Sequence, residues 1–132
     1  MIDLSVVIPI KNEAASLVEL VREFTETLTA WSRPYELIII DDGSTDESFE
    51  ILARQQAADH RLRVIRFRRN YGQTAAFAAG FAHARGRLIA TSDGDLQNDP
   101  HDIPAMVASL EGGLDIVCGW RKQRQDAFVS RR

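Results

Sequence analysis

The segment TSDGDLQNDP, Thr91 to Pro100, crowds carboxylates and amides directly behind an apolar run. Asp93 and Asp95 are two residues apart, so at the end of a strand both side chains point to the same side. Gly94 between them lets the backbone come close to a ligand. Two carboxylates with the Gln97 amide nearby offer hard oxygen donors that suit Mg²⁺ or Mn²⁺, shared with substrate phosphates. Asp99, just before Pro100, reads instead as the cap of a following turn.

Other polar groups stand behind other apolar runs. Asp41-Asp42-Gly43-Ser44 follows LIII, and either aspartate could accept hydrogen bonds from a base or a ribose. Pro9, Asn12 and Glu13 follow the first run, where Glu13 could read a base edge or complement a helix dipole. Arg68 and Arg69 precede Asn70–Gln73, which opens a small-residue helix whose N-terminus could face a phosphate.

These residues need elements to hold them. Leu4–Ile10 and Leu37–Ile40 read as buried strands, Leu62–Phe67 as a strand nearer an edge, and Arg87–Thr91 and Leu114–Cys118 as the fourth and fifth strands. Between them, Asn12 can cap a helix with Leu17, Val18, Val21, Phe24 and Leu28 on one face. Ser44 and Glu47 have the spacing of a capping box for a second helix running to about Ala57. Residues 72–84 form a helix so uniformly small and apolar that burial nearly all round is expected, with Gly80 marking a close approach. Pro104 implies a first turn at Asp99-Pro100 and then a helix starting near Pro104. Alternating strands and helices predict an α/β fold with a mostly parallel sheet and helices on both faces, which binds ligands at the carboxyl ends of its strands.

Bulk properties narrow the class. The 132 residues suit one domain, and a net charge of −3 argues against a nucleic-acid partner. The single Cys118 allows no internal disulfide and reads as core, which favours a reducing compartment. His60, His83 and His101 lack metal-site spacing and read as surface or structural. No apolar run reaches the roughly 18–20 residues of a membrane span. The first strand is followed by PIKNEA, which is neither the G-x-G-x-x-G of dinucleotide-binding domains nor a phosphate loop. A nucleotidyltransferase would carry a glycine-rich basic loop there, so it stands as an alternative, beside a non-catalytic nucleotide-binding or assembly fragment.

VVIPIKNEAASL, IIIDDGSTDES, RNYGQTAAFAAGF, DGDLQNDPHDIP and DIVCGWRKQRQD together resemble the ordered motifs of inverting, family-two glycosyltransferases with the GT-A (Rossmann-like) fold. The subgroup most similar is the bacterial polyprenyl-phosphate sugar transferases, with dolichyl-phosphate mannose synthases as near relatives. The resemblance implies transfer of a sugar from a UDP- or GDP-linked donor to a polyprenyl phosphate such as undecaprenyl phosphate, with inversion and a divalent metal. It implies a cytoplasmic site at the inner face of the plasma membrane. Pro9, Asn12, Glu13, Asp41 and Asp42 would line the base and ribose pocket. Asp93, Asp95 and Gln97 match D-x-D-x-Q, which holds the metal and the donor diphosphate. Arg121 matches the arginine of a G-x-R segment near the transferred group, and Arg124 and Arg131 are candidates for the acceptor phosphate. A lipid phosphate, with a second pKa of about 6, is already largely ionised near neutral pH and needs no strong general base. Family members are longer, continuing into an acceptor half and membrane helices, so the chain is expected to be a single-domain nucleotide-binding portion. Such a portion would bind nucleotide weakly, transfer little alone, and have surfaces open to self-association.

Overall fold

The computed structural model describes residues 1–92, 99–112, 116–120 and 126–131, the last two stretches as backbone strands. In chain order these are β1 (Leu4–Ile10), α1 (Leu17–Trp31), β2 (Tyr35–Asp41), α2 (Ser48–Ala58), β3 (Leu62–Arg66), α3 (Gln73–His83) and β4 (Leu88–Thr91). A 3-10 turn (Pro100–Asp102), α4 (Ile103–Glu111), β5 (Ile116–Trp120) and β6 (Asp126–Arg131) follow. The six strands form one sheet in the order β3-β2-β1-β4-β6-β5. β3, β2, β1 and β4 are mutually parallel, and β6 is antiparallel to both β4 and β5. The expected mostly parallel sheet is therefore present, with one strand more than the five expected and an antiparallel strand inserted before the last.

Every residue of β1 and β2 is buried, as befits strands covered on both faces. One face carries Leu4, Val6, Ile8, Leu37 and Ile39 against Leu17, Leu20 and Phe24 of α1, Leu52 of α2 and Val107 and Leu110 of α4. The other face carries Val7, Ile38, Ile40 and Ile89 against α3. β3 lies at the sheet edge, as its alternating pattern indicates.

Pro9 sits inside a central strand, where a missing N–H usually breaks the ladder. The pairing explains its tolerance. The Val7 carbonyl accepts from Ser92 N on the β4 side, and β4 ends its pairing at Val7. Pro9 points its nitrogen to that same side, two residues beyond the last pair that β4 makes with β1. The carboxyl end of β1 thus extends past Thr91, the last residue of β4, at the point where the strand order turns from β3-β2-β1 to β4.

Helix details depart from expectation in three places. Val18 is 54% exposed, because the buried stripe of α1 runs through Leu17, Leu20, Val21, Phe24 and Leu28. α2 starts at Ser48 rather than at a box built on Ser44. α3 is not buried all round: only Ala76 and Gly80 of its 11 residues are buried. One helix lies across this face, so its far side has no second layer to meet. The close approach at Gly80 is real, since an added Cβ would overlap the Val7 side chain. The turn before α4 matches expectation: Asp99 accepts from His101 N at 3.0 Å, and Pro104 falls in the first turn of α4. His60, His83 and His101 are exposed.

Two polar networks tie the amino edge of the sheet. Glu36, 2% exposed, accepts from Ser5 Oγ and Arg85 N, each at 2.6 Å, and from Arg63 Nη1 at 2.8 Å. Burial alone would raise the Glu36 pKa, but the bonds from Ser5, the Arg85 N–H and Arg63 outweigh it and hold the carboxyl below its usual range. On the other side Glu111 accepts from Arg33 through both oxygens at 2.8 Å and from Arg87 at 2.9 Å. Chiefly through Arg33, its pKa is held down to about 2. A lowered folded-state pKa gives stability that is complete above the unfolded value, near 4.5, and fades as pH falls toward the folded value. Thermal unfolding followed between pH 6 and about 2 should therefore show a falling midpoint from about pH 4.5 downward, and Glu111→Gln should flatten part of that slope. An equal slope in the variant would remove Glu111 from the account.

Candidate functional site

The carboxyl ends of β1, β2 and β3 converge, and the connections leaving them are stapled together by side chains. Asn12 has a left-handed backbone, φ 52°. It does not cap α1, whose N-cap is Ser16. Its Oδ1 instead accepts from Thr45 N at 2.8 Å and Asp46 N at 3.3 Å, while its own N–H donates to Ser44 Oγ at 2.9 Å. Glu13 N donates to Ser48 Oγ at 3.1 Å, and Ala14 N to Asp46 Oδ2 at 3.3 Å. The serines and threonine of GSTDES thus serve the neighbouring loop. Sequence spacing suggested a local capping box, and nothing in it pointed to a partner more than 30 positions away. Half-buried Glu13 accepts from Ser16 Oγ through Oε2 at 3.2 Å.

Adjacent aspartates at the end of β2 have different work. Asp42 is turned toward α3, where Oδ1 accepts from Tyr71 N at 2.7 Å and Oδ2 from Gly72 N at 3.1 Å. It fixes the N-terminal end of α3, and sequence reasoning assigned Tyr71 and Gly72 no such part. Asp41, 1% exposed, uses Oδ1 to accept from Ser44 N at 3.0 Å. Its Oδ2 is buried and has no hydrogen-bond partner. An unsatisfied buried carboxylate oxygen is costly, and a ligand that brings a donor would remove the cost.

Gly43 explains how the third connection joins the first two. Its φ is +72°, and an added Cβ would overlap the backbone of Arg69 and Asn70. The glycine meets both demands and lets the β3–α3 connection lie directly on the β2 loop. Arg69 is exposed there, its guanidinium 5.1 Å from the Tyr71 ring centre. Pro9, Asn12, Glu13, Asp41, Asp42 and Arg69 therefore gather at one end of the sheet.

The donor set Asp93, Asp95 and Gln97, with Arg121 and Arg124, lies outside the described residues. What surrounds that set is described. β4 ends at Thr91, paired with Val7 of β1, so its carboxyl end points the same way as that of β2, where Asp41 stands. β5 runs in the same direction as β4 and ends at Trp120, immediately before Arg121. Two carboxylates and an amide are a chemically fitting donor set for Mg²⁺ or Mn²⁺. Among the described residues, no group of three or more His, Cys, Asp or Glu could hold a metal ion. Arg131 is not brought to this edge: it pairs in register with Leu88, at the opposite end of β4 from Thr91.

Known proteins share this fold and sequence pattern. The sequence profile described as glycosyl transferase family 2 matches residues 5–132. A dodecaprenyl-phosphate galacturonate synthase of Rhizobium johnstonii is 48% identical over 134 aligned positions, covering 99% of this chain and 39% of that protein. An undecaprenyl-phosphate 4-deoxy-4-formamido-L-arabinose transferase of Salmonella choleraesuis is 47% identical over 128 positions, 96% of this chain and again 39% of the relative. The chain thus spans well under half the length of these relatives. Among solved structures, a mannosyltransferase from Pyrobaculum calidifontis in complex with GDP-Man and Mn²⁺ superposes with a TM-score of 0.81 at 18% identity, over 98% of this chain and 44% of that one. S. aureus TarS in complex with UDP gives 0.68 at 20% identity, over 87% and 34%. At such identities the likeness concerns the fold, and the fold is the GT-A type that the motifs imply. Profile, relatives and fold agree, and the chain belongs to glycosyl transferase family 2.

Proposed function

We propose that this chain is the nucleotide-binding domain of an inverting sugar transferase that takes a UDP- or GDP-linked donor and delivers its sugar to a polyprenyl phosphate. The observation that carries the reading is the buried, unpartnered Oδ2 of Asp41 at the carboxyl end of β2. Uracil and guanine each present a ring N–H beside a carbonyl, and a fixed carboxylate accepts from such a group. Pro9 and Glu13 border the same crevice from β1, Asn12 holds the two loops in register, and Arg69 offers a positive charge to the diphosphate. Asp93, Asp95 and Gln97 would hold Mg²⁺ or Mn²⁺, which supplies charge neutralisation at the leaving diphosphate. Arg121 would add a fixed positive charge beside the transferred group. Arg124 is the remaining candidate for an acceptor phosphate, since Arg131 pairs at the opposite end of β4 from Thr91. The names of the relatives support the lipid-phosphate acceptor, an acceptor of that kind calls for a membrane surface, and a nucleotide-linked donor suits its cytoplasmic face. No helix among the described residues is long and apolar enough to cross a membrane.

Titration calorimetry with UDP- and GDP-linked sugars, with and without Mn²⁺, tests the reading. Binding of one of the two donors should be strengthened by the metal, and Asp95→Ala should weaken the metal-dependent part by at least about tenfold. Absence of binding to either donor would end it. Product analysis with a polyprenyl phosphate then tests the acceptor separately.

A further inference from the structure

The outward side of α3 is the least explained surface of the molecule. An ordinary surface helix presents charged residues to solvent. α3, QTAAFAAGFAH, contains none apart from the terminal His83, yet only Ala76 and Gly80 are buried. Thr74, Ala78, Phe81 and Ala82 are exposed. Phe81, 39% exposed, stacks on Phe77 with ring centres 6.2 Å apart, and Tyr71 just ahead of the helix is 53% exposed. The helix spans about 16 Å at 1.5 Å per residue, so this is a continuous apolar strip.

Along the chain on either side of the strip, charge has one sign. From His60 to Ser92 the chain carries seven arginines and no Asp or Glu, in a protein whose net charge is −3. Arg68 and Arg69 are exposed ahead of the helix, and Arg85 is exposed behind it. Among the described residues, Asp42 and Glu36 reach the ends of α3 from elsewhere, and both are buried and engaged by backbone N–H groups.

We propose that this face of α3, with the arginines at its two ends, docks on an anionic lipid surface. An apolar strip bearing aromatics and flanked by arginines suits the boundary between headgroups and acyl chains, where apolar burial and attraction to anionic headgroups add. A symmetric contact with a second copy would set arginines against arginines. The proposal does not rest on the transfer reading, since the strip itself lies outside the strand-end crevice, with which it shares only Arg69, and it is tested without nucleotide.

Co-sedimentation of the chain with vesicles decides it. Vesicles of phosphatidylcholine mixed with phosphatidylglycerol should bind the protein at least about fivefold better than phosphatidylcholine alone. The difference should shrink several-fold in about 0.5 M salt, where the Debye length is only a few ångströms. Ala78→Glu with Ala82→Glu puts two carboxylates on the exposed strip without touching the core, and should lower affinity for the mixed vesicles at least about tenfold. An unchanged circular dichroism spectrum would show the variant to be folded. Three outcomes overturn the proposal: no binding to either vesicle, equal binding by the folded variant, or a dimer in sedimentation analysis that the variant dissolves without any lipid binding.

Discussion

Asp41→Asn should weaken nucleotide binding by about 10- to 100-fold, the 1.5–3 kcal/mol of a hydrogen bond to a charged group, while leaving the thermal midpoint unchanged or higher. The two effects separate because the two oxygens do different work. Oδ1 accepts from Ser44 N, and an asparagine oxygen can do the same. Oδ2 is buried without a donor, so in the free protein it is a liability that the amide relieves by removing charge. In a nucleotide complex the same change sets an NH₂ against a base N–H, donor against donor. Asp42→Asn should behave in the opposite way. Its oxygens both accept from the backbone at Tyr71 and Gly72, so the variant should lose stability as well as binding. Calorimetry with UDP and GDP beside thermal unfolding of both variants makes the comparison. If Asp41→Asn binds as tightly as the parent, Asp41 is not the base acceptor and the pocket must be sought elsewhere along the edge.

That contrast also shows where the sequence stops being informative. β1 and β2 are legible because strands covered on both faces need unbroken apolar runs, and VVIPI and LIII are such runs. The gathering of Glu13, Asp41 and Arg69 at one edge follows from the same reading, because parallel strands send all their carboxyl ends one way. The choice between Asp41 and Asp42 is tertiary. It depends on Tyr71 and Gly72 arriving beside one of them, which no local pattern encodes. Asn12 is the same case: asparagine after a strand suggests a helix cap, but its amide bonds a loop that lies next to it only because β2 lies next to β1. α3 departs from its pattern for another reason. Small apolar residues announce contact, yet composition does not say how many sides receive it. β6 has no clear local signal because DAFVSR is short and lies among arginines, and its place between β4 and β5 is a matter of topology.

Glu36→Ala should be the most destabilising single change at the amino edge, costing about 3–5 kcal/mol, as expected when one partner of a buried ion pair is removed. The carboxylate is nearly inaccessible and accepts from the Ser5 hydroxyl, the Arg85 N–H and the Arg63 guanidinium. Ser5 Oγ in turn accepts from Gly86 N at 2.8 Å. Gly86 is pressed so closely on the backbone of Leu4 and Ser5 that an added Cβ would overlap it. The network therefore clamps the α3–β4 connection to β1 and sets where β4 begins. β4 is only four residues long, so an error at Leu88 is carried directly to Thr91 and to the segment bearing Asp93 and Asp95. Glu36→Ala should accordingly lower the unfolding midpoint by roughly 10–20 °C, at about 3–5 °C per kcal/mol for a chain of this size, and should also weaken metal-dependent nucleotide binding from a distance. Replacing the group as a whole, Ser5→Ala with Glu36→Leu and Arg63→Met, should recover much of the lost stability, because no buried charge is left unpaired. A midpoint for Glu36→Ala within a degree or two of the parent would mean that water reaches the carboxylate site freely, and that the register of β4 is set by its apolar contacts instead.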